Sequence, residues 1–316
     1  MFSSRRRGGW VAVAGLATAA VLSLAACGSS DTIGGGTGGG DNTADAGTIR
    51  VGSANFAESE IIMEIYAQAL ENAGLTVERT PQIGARDVYV QALQDGSIDL
   101  VPEYSGNLLQ FFDSSSTAKS SDEVFDALTE ATPDGLEVLD QASAEDKDSY
   151  NVTKEFSEEH GITSLADLAG AGVPLTLGGS PELAERPYGP KGLTEVYGVP
   201  ADQITFVTIS DSGGPLTAQA LADGTVNITD LFSTSPLIAD NGFVTLDDPE
   251  NMILPQNVLP LISSEAATDE VKDVLNAVSA KLTTEDLIEM NGRNQGDEKA
   301  SPATVAKDWL TEAGLV

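Results

Sequence analysis

The sequence predicts an α/β protein built on mostly parallel sheets. Three observations carry this. Short β-branched and leucine-rich runs alternate with segments of helical period. Apolar residues make up 41% of the 316-residue chain, enough for real cores. The C-terminal tail changes to helices alone. In order, Thr48 to Val51 reads as a strand, and Ile61, Ile62, Ile65, Ala69 and Leu70 recur on one helical face that Gly74 ends. Asn55 and Glu58 are spaced as an N-cap and its N3 partner for that helix. Val77 to Thr80 is a strand, Val88 to Leu93 a helix and Ile98 to Val101 a strand. Ser120 to Glu123 opens a helix through Leu128. The alternation resumes with strands Leu175 to Leu177, Thr205 to Ile209 and Val226 to Thr229, and helices Leu193 to Tyr197 and Leu216 to Ala222. Three tail helices follow: Val271 to Leu282, Leu287 to Met290, and Val305 to Leu310, the last with Ser301 as cap and Pro302 at the first helical position. In such sheets ligands sit beyond the carboxyl ends of the strands.

Charge and rare residues narrow the function. Sixteen Lys and Arg against 49 Asp and Glu give −33, which argues against a nucleic-acid backbone as partner. The single Cys (Cys27) and single His (His160) exclude internal disulfides and Cys-rich zinc sites, and leave His160 as the only base for a Ser–His or Cys–His pair. His160 lies beside Glu158 and Glu159 on a polar segment and reads as an exposed side chain. An enzyme working with paired carboxylates and a receptor for hydrophilic ligands both survive. So do a structural envelope protein and a receptor for an amino acid, a polyol or an ergothioneine-like betaine. No cofactor or metal is expected.

The N-terminus reads as an address. Arg5, Arg6 and Arg7 precede the apolar stretch Trp10 to Ala20, followed by Leu24-Ala25-Ala26-Cys27. This order resembles the signal and lipobox of bacterial lipoproteins, which implies cleavage of residues 1–26 and a lipid on Cys27. Cleavage leaves 290 residues and, with three arginines lost, takes the charge from −33 to −36. A plain secretory signal is the other reading. No later run reaches the ~18 uninterrupted apolar residues of a membrane span, so the lipid is the expected anchor. Residues 27–47 are expected to tether the rest: the Gly-rich stretch reaches about 25 Å as a random coil. Gly34, Gly36 and Gly39 fit a dinucleotide fingerprint by letter, but no strand precedes them and no helix follows.

Several later motifs share one resemblance. They are Gly52-Ser53-Ala54-Asn55-Phe56-Ala57-Glu58, Gly84-Ala85-Arg86, Ile98 to Gly106 with Glu103-Tyr104-Ser105, Asp146 to Tyr150, Gly179 to Glu182 with Arg186, Val196-Tyr197-Gly198, and Leu282 to Leu287. Together they resemble the substrate-binding proteins of glycine betaine/carnitine/choline ABC importers. The resemblance implies a two-lobed Venus-flytrap, type II-like periplasmic-binding-protein fold with a hinge crossed twice. Lobe 1 would hold 48–142 and 235–316, and lobe 2 would hold 143–234. It also implies a monomer that hands its ligand to an ABC permease with its ATPase, and no catalysis.

A trimethylammonium group has charge but no N–H to donate, so aromatic faces must hold it, at about 0.5–2 kcal/mol per ring. A betaine carboxylate wants Arg, hydroxyls or backbone N–H groups. By the resemblance, Tyr104, Tyr150 and Phe232 are the candidate cage rings, with Tyr188 as a possible further ring. Arg186 is the candidate carboxylate ligand, and Asn107 and Asn55 complete the expected ligand-binding set. Ala54 stands where many relatives have Lys, and Asn107 where many have Thr. Phe56 is expected to pack, and Asp230 to cap or bridge at the hinge rather than face the cleft.

Overall fold

The computed structural model describes residues 47–316. The expected signal segment 1–26, the expected lipid-bearing Cys27 and all but the last residue of the expected tether lie outside the described residues.

Among the described residues, ten strands form two five-stranded sheets. The first takes β1 (Thr48–Gly52), β2 (Thr76–Thr80), β3 (Leu100–Tyr104), β4 (Leu136–Val138) and β10 (Val258–Ser263), in the order β2-β1-β3-β10-β4. The second takes β5 (Asp148–Val152), β6 (Leu175–Gly179), β7 (Ile204–Thr208), β8 (Ile228–Phe232) and β9 (Val244–Thr245), in the order β7-β6-β8-β5-β9. Each sheet is a parallel trio, β2-β1-β3 and β7-β6-β8, extended by antiparallel strands. The parallel trios follow from the βαβ alternation, because a parallel return needs a crossover helix.

The first sheet is covered on both faces. Helix Ala57–Asn72 buries Ile61, Ile62, Ile65, Ala69 and Leu70 against β1 and β3, and the tail helices Asp269–Ser279, Thr284–Gln295 and Pro302–Glu312 close that layer. A second cluster with Val90, Leu93, Val101, Leu108 and Leu261 fills the opposite face. The second sheet has its own core around Val152, Leu177, Leu193 and Ile228.

The chain passes between the sheets twice. Ala144 packs in the first core and Asp148 already pairs with Phe232 in the second sheet. On the return, Ile253 packs in the core of the second sheet and Leu254 in the cluster on the opposite face of the first sheet. The return therefore lies well beyond the expected position 235: β9 pairs with β5, and Leu246 and Met252 pack with the second core. A two-residue strand has no period to read, which is why the sequence places this boundary too early.

The first helix also starts differently from expectation. Phe56 is its N-cap and makes no side-chain cap bond, while Asn55 is exposed. Ser59 Oγ instead accepts from the Ala54 N–H at 3.0 Å. Glu58 turns inward, for a reason given below. Among the described residues, no helix is long and apolar enough to cross a membrane.

Candidate functional site

A cavity of about 280 Å³ lies between the two sheets, at the carboxyl ends of their parallel strands. The first sheet contributes Ala54, Asn55 and Phe56 after β1, Arg86 and Tyr89 on helix Arg86–Gln94, Tyr104 at the end of β3, and Asn107. The second contributes Asp146 and Asp148 at the start of β5, Arg186 after β6, Ser212 and Gly213 after β7, and Asp230 and Phe232 on β8.

Three rings meet at the cavity. The Phe56 centroid lies 6.0 Å from Tyr104, tilted by 37°, and 6.3 Å from Phe232, near parallel at 21°. Phe56 thus joins a ring from the first sheet to a ring from the second. Tyr104 and Phe232 were expected here; Phe56 was expected only to pack. It does pack against both faces of the first core, and it also lines the cavity.

Tyr150 and Tyr188 do not line the cavity. Each is 1% exposed within the second core. The Tyr150 hydroxyl donates to the Tyr188 carbonyl at 2.6 Å, and the Tyr188 hydroxyl donates to Asp148 Oδ2 at 2.6 Å. Satisfied hydroxyls and buried rings make them the support behind Asp148, which corrects their expected place in the cage. Asn55, Asn107, Arg186, Tyr104 and Phe232 all reach the cavity. The Asn107 N–H donates to Gln256, while its side-chain oxygen is buried without a donor.

Behind Tyr104 lies a buried acid. Glu58, 4% exposed, accepts from the Tyr104 hydroxyl at 2.6 Å, from Thr234 Oγ1 at 2.7 Å and from Asn291 Nδ2 at 2.5 Å. Burial, then the Glu58 charge, push the Tyr104 phenol well above its usual value, so it remains a donor. Beside it, Arg86 grips the fully buried Glu103 with two bonds of 2.8 and 3.0 Å, and Tyr89 donates to the same carboxylate at 2.8 Å. Burial opposes the Arg86 charge, but Glu103 more than offsets it. Gly106 lets the return segment close behind this wall: a Cβ there would stand 2.5 Å from the Pro255 carbonyl oxygen.

The second-sheet wall, which also carries Phe232, is acidic. Asp146 accepts from the Thr234 N–H at 3.1 Å and is 7% exposed; Asp230 is 8% exposed, and its Oδ1 has no hydrogen-bond donor. Burial, then Glu58, hold Asp146 well above the usual carboxylate range; burial, then Asp148, do the same for Asp230. Asp230 therefore faces the cavity rather than capping or bridging, against expectation. Across β5 and β8 the register Tyr150↔Asp230 and Asp148↔Phe232 puts these side chains on one face. The signal for this wall was the period-2 spacing of Asp146, Asp148 and Tyr150, visible only once β5 is recognised as a strand. Arg186 forms no salt bridge among the described residues. No group of three or more His, Cys, Asp or Glu among the described residues could hold a metal ion.

Residues 47–312 match the OpuAC family model, described as the substrate binding domain of ABC-type glycine betaine transport system. The glycine betaine-binding protein YehZ of Escherichia coli is 25% identical over 280 residues, covering 85% of this chain and 92% of that one. Its apo crystal structure superposes with a TM-score of 0.67 at 26% identity, over 85% of this chain and 99% of that one. A glycine-betaine-binding protein of Pseudomonas aeruginosa is 26% identical over 287 residues, 86% of this chain and 90% of its own. The fold is also that of a glycine betaine/carnitine/choline ABC transporter structure, with a TM-score of 0.72 at 20% identity, over 84% of this chain and 99% of that one.

Proposed function

The chain belongs to the family of substrate-binding domains of ABC-type glycine betaine transport systems, and from that premise we propose that it is an extracytoplasmic receptor for quaternary-ammonium osmoprotectants. The ligand class comprises glycine betaine, proline betaine, carnitine and choline. The observation that carries the reading is the meeting of Phe56, Tyr104 and Phe232 at the cavity, beside the acidic side chains of the second sheet. Ring faces attract a cation that cannot donate a hydrogen bond. The neighbouring carboxylates reinforce the attraction without needing an N–H partner.

In this reading the sheets belong to two lobes, joined where the chain passes near residue 145 and again near residue 253. The ligand is held by groups from both lobes, and binding therefore favours the closed form. Asn55 and Asn107 offer polar contacts at the rim of the cage, and Arg186 stands ready for a carboxylate where the ligand has one. The receptor acts as a monomer, is anchored by a lipid on Cys27 through the 27–47 tether, and passes its ligand to an ABC permease with its ATPase. It catalyses no reaction on that ligand.

Calorimetric titration of the purified protein with the four named ligands tests the class, with small-angle scattering to follow closure. Saturable one-to-one binding of at least one ligand, with compaction, is expected. If none binds and the scattering profile stays unchanged at saturating concentrations, the reading fails.

A further inference from the structure

The cavity's charges are unequal. Asp146, Asp148, Glu182 and Asp230 line it, against Arg86 and Arg186. Arg86 is already committed to the buried Glu103. Arg186 is the one other cationic side chain in the lining, against four acidic side chains, and Glu58 adds a fifth acid behind Asp146. A betaine would carry its own carboxylate into this field. A cation without one would not.

Asp230 supplies the second observation. It lines the cavity, is more than nine-tenths buried, and its Oδ1 has no donor among the described residues. A buried acceptor without a donor is costly. Asp148 is its neighbour on the same face of the sheet but is itself an acid with no N–H to offer, so it raises the cost of charge on Asp230. A ligand hydroxyl or cation can replace the proton that Asp230 then holds. The unpartnered side-chain oxygen of Asn107, on the opposite wall, is a second acceptor in search of a donor.

Resting on the quaternary-amine reading above, we propose that this cavity selects hydroxylated quaternary-ammonium cations over carboxylated betaines, and that binding such a cation expels a proton from Asp230. The proton passes to solvent, Asp230 becomes anionic, and the ligand's positive charge compensates it. The titratable and charged groups facing Asp230 are Asp148 and Tyr150 on β5, Asp146 before it, and Tyr188 and Arg186 after β6. Tyr188 already donates to Asp148, and Tyr150 to a carbonyl, so neither supplies Asp230 with a donor. The upward displacement of Asp230 and Asp146 by burial agrees with retained protons in the empty cavity.

The test is calorimetry on the purified full protein with choline and glycine betaine as probes, between about pH 5 and pH 8, in two buffers of different ionisation enthalpy. Choline is expected to bind about tenfold or more tighter than glycine betaine and to release about one proton. While Asp230 holds its proton in the empty cavity, the choline dissociation constant falls about tenfold for each unit by which the pH rises. Asp230→Asn is expected to lower the choline-to-betaine preference about tenfold or more, with its thermal melt confirming that it folds. Glycine betaine binding as tightly as choline, no proton release by wild type, or an unchanged preference in the folded variant would each overturn the inference while leaving the quaternary-amine reading intact. Binding of neither probe overturns both.

Discussion

Tyr104→Phe separates what the ring does from what the hydroxyl does. The hydroxyl points away from the cavity to Glu58 Oε1 at 2.6 Å, while the ring lines the cavity beside Phe56. Removing the oxygen deletes one hydrogen bond to a buried carboxylate, which costs about 1.5–3 kcal/mol of stability. Glu58 keeps Thr234 and Asn291 as donors, both on its other oxygen, so Oε1 loses its one side-chain donor. The loss should then fall in the upper half of that range. The ring face and its quadrupole survive, so affinity for a quaternary amine should change by less than about threefold, roughly 0.6 kcal/mol. Urea denaturation of the ligand-free protein measures the first quantity and calorimetric titration the second. If affinity falls more than about tenfold while the urea midpoint stays put, the hydroxyl contacts ligand directly and the assignment of Glu58 as its partner is wrong.

Other outcomes follow from the same geometry. For glycine betaine, Tyr104→Ala should cost at least ~1 kcal/mol more than Arg186→Ala, whereas for choline Arg186→Ala should be neutral or helpful; titration of both variants decides, and abolition of betaine binding by Arg186→Ala alone would reverse the order. Cys27→Ser should move the protein from the membrane fraction to the soluble one, and retention after a high-salt wash would refute the lipid anchor. Asp146 and Asp230 are raised in the fold, so the native state holds protons that the unfolded chain releases. Their contribution to stability is therefore present at low pH and is lost as pH rises from the ordinary carboxylate value of about 4 through the raised values. Asp230→Asn lacks that titration, so its stability relative to wild type should climb with pH in denaturant melts; a difference flat in pH contradicts the raised Asp230.

The parallel trios were legible because β1, β6 and β7 are apolar runs bounded by helical segments, and caps such as Ser120 with Glu123 are written locally. The antiparallel additions were not. β10 contains Pro260, opposite Pro102 of β3, and a proline inside a run argues against a strand. β5 begins with Asp148 because it borders the cavity, so function breaks the apolar pattern that would reveal the strand. Which aromatics face the cavity was hidden for a related reason. Residue type marks Phe56, Tyr150 and Tyr188 alike as possible rings. Only the fold shows that the hydroxyls of the two tyrosines are satisfied inside the second core while the Phe56 ring reaches the cavity.

Glu58 explains how a ring in one wall can bear on the other. Its Oε2 receives Thr234, two residues beyond Phe232, and the Thr234 N–H in turn donates to Asp146, two residues before Asp148. The neighbouring segments are tied as well: the Ser233 N–H donates to the Lys147 carbonyl at 2.8 Å. Tyr104 and Glu58 from the first sheet, and Asp146 and Thr234 beside the second, therefore form one hydrogen-bonded unit next to the outgoing passage of the chain. A buried carboxylate is tolerable only while its donors stay in place. Opening the cavity at this point would strip Thr234 from Glu58, whereas opening at the side of Arg186 and Ser212 breaks no comparable buried bond among the described residues. The cleft should accordingly swing from the Glu58 side, keeping Tyr104 and Asp146 in fixed relation while Arg186 and the loop after β7 move toward the ligand.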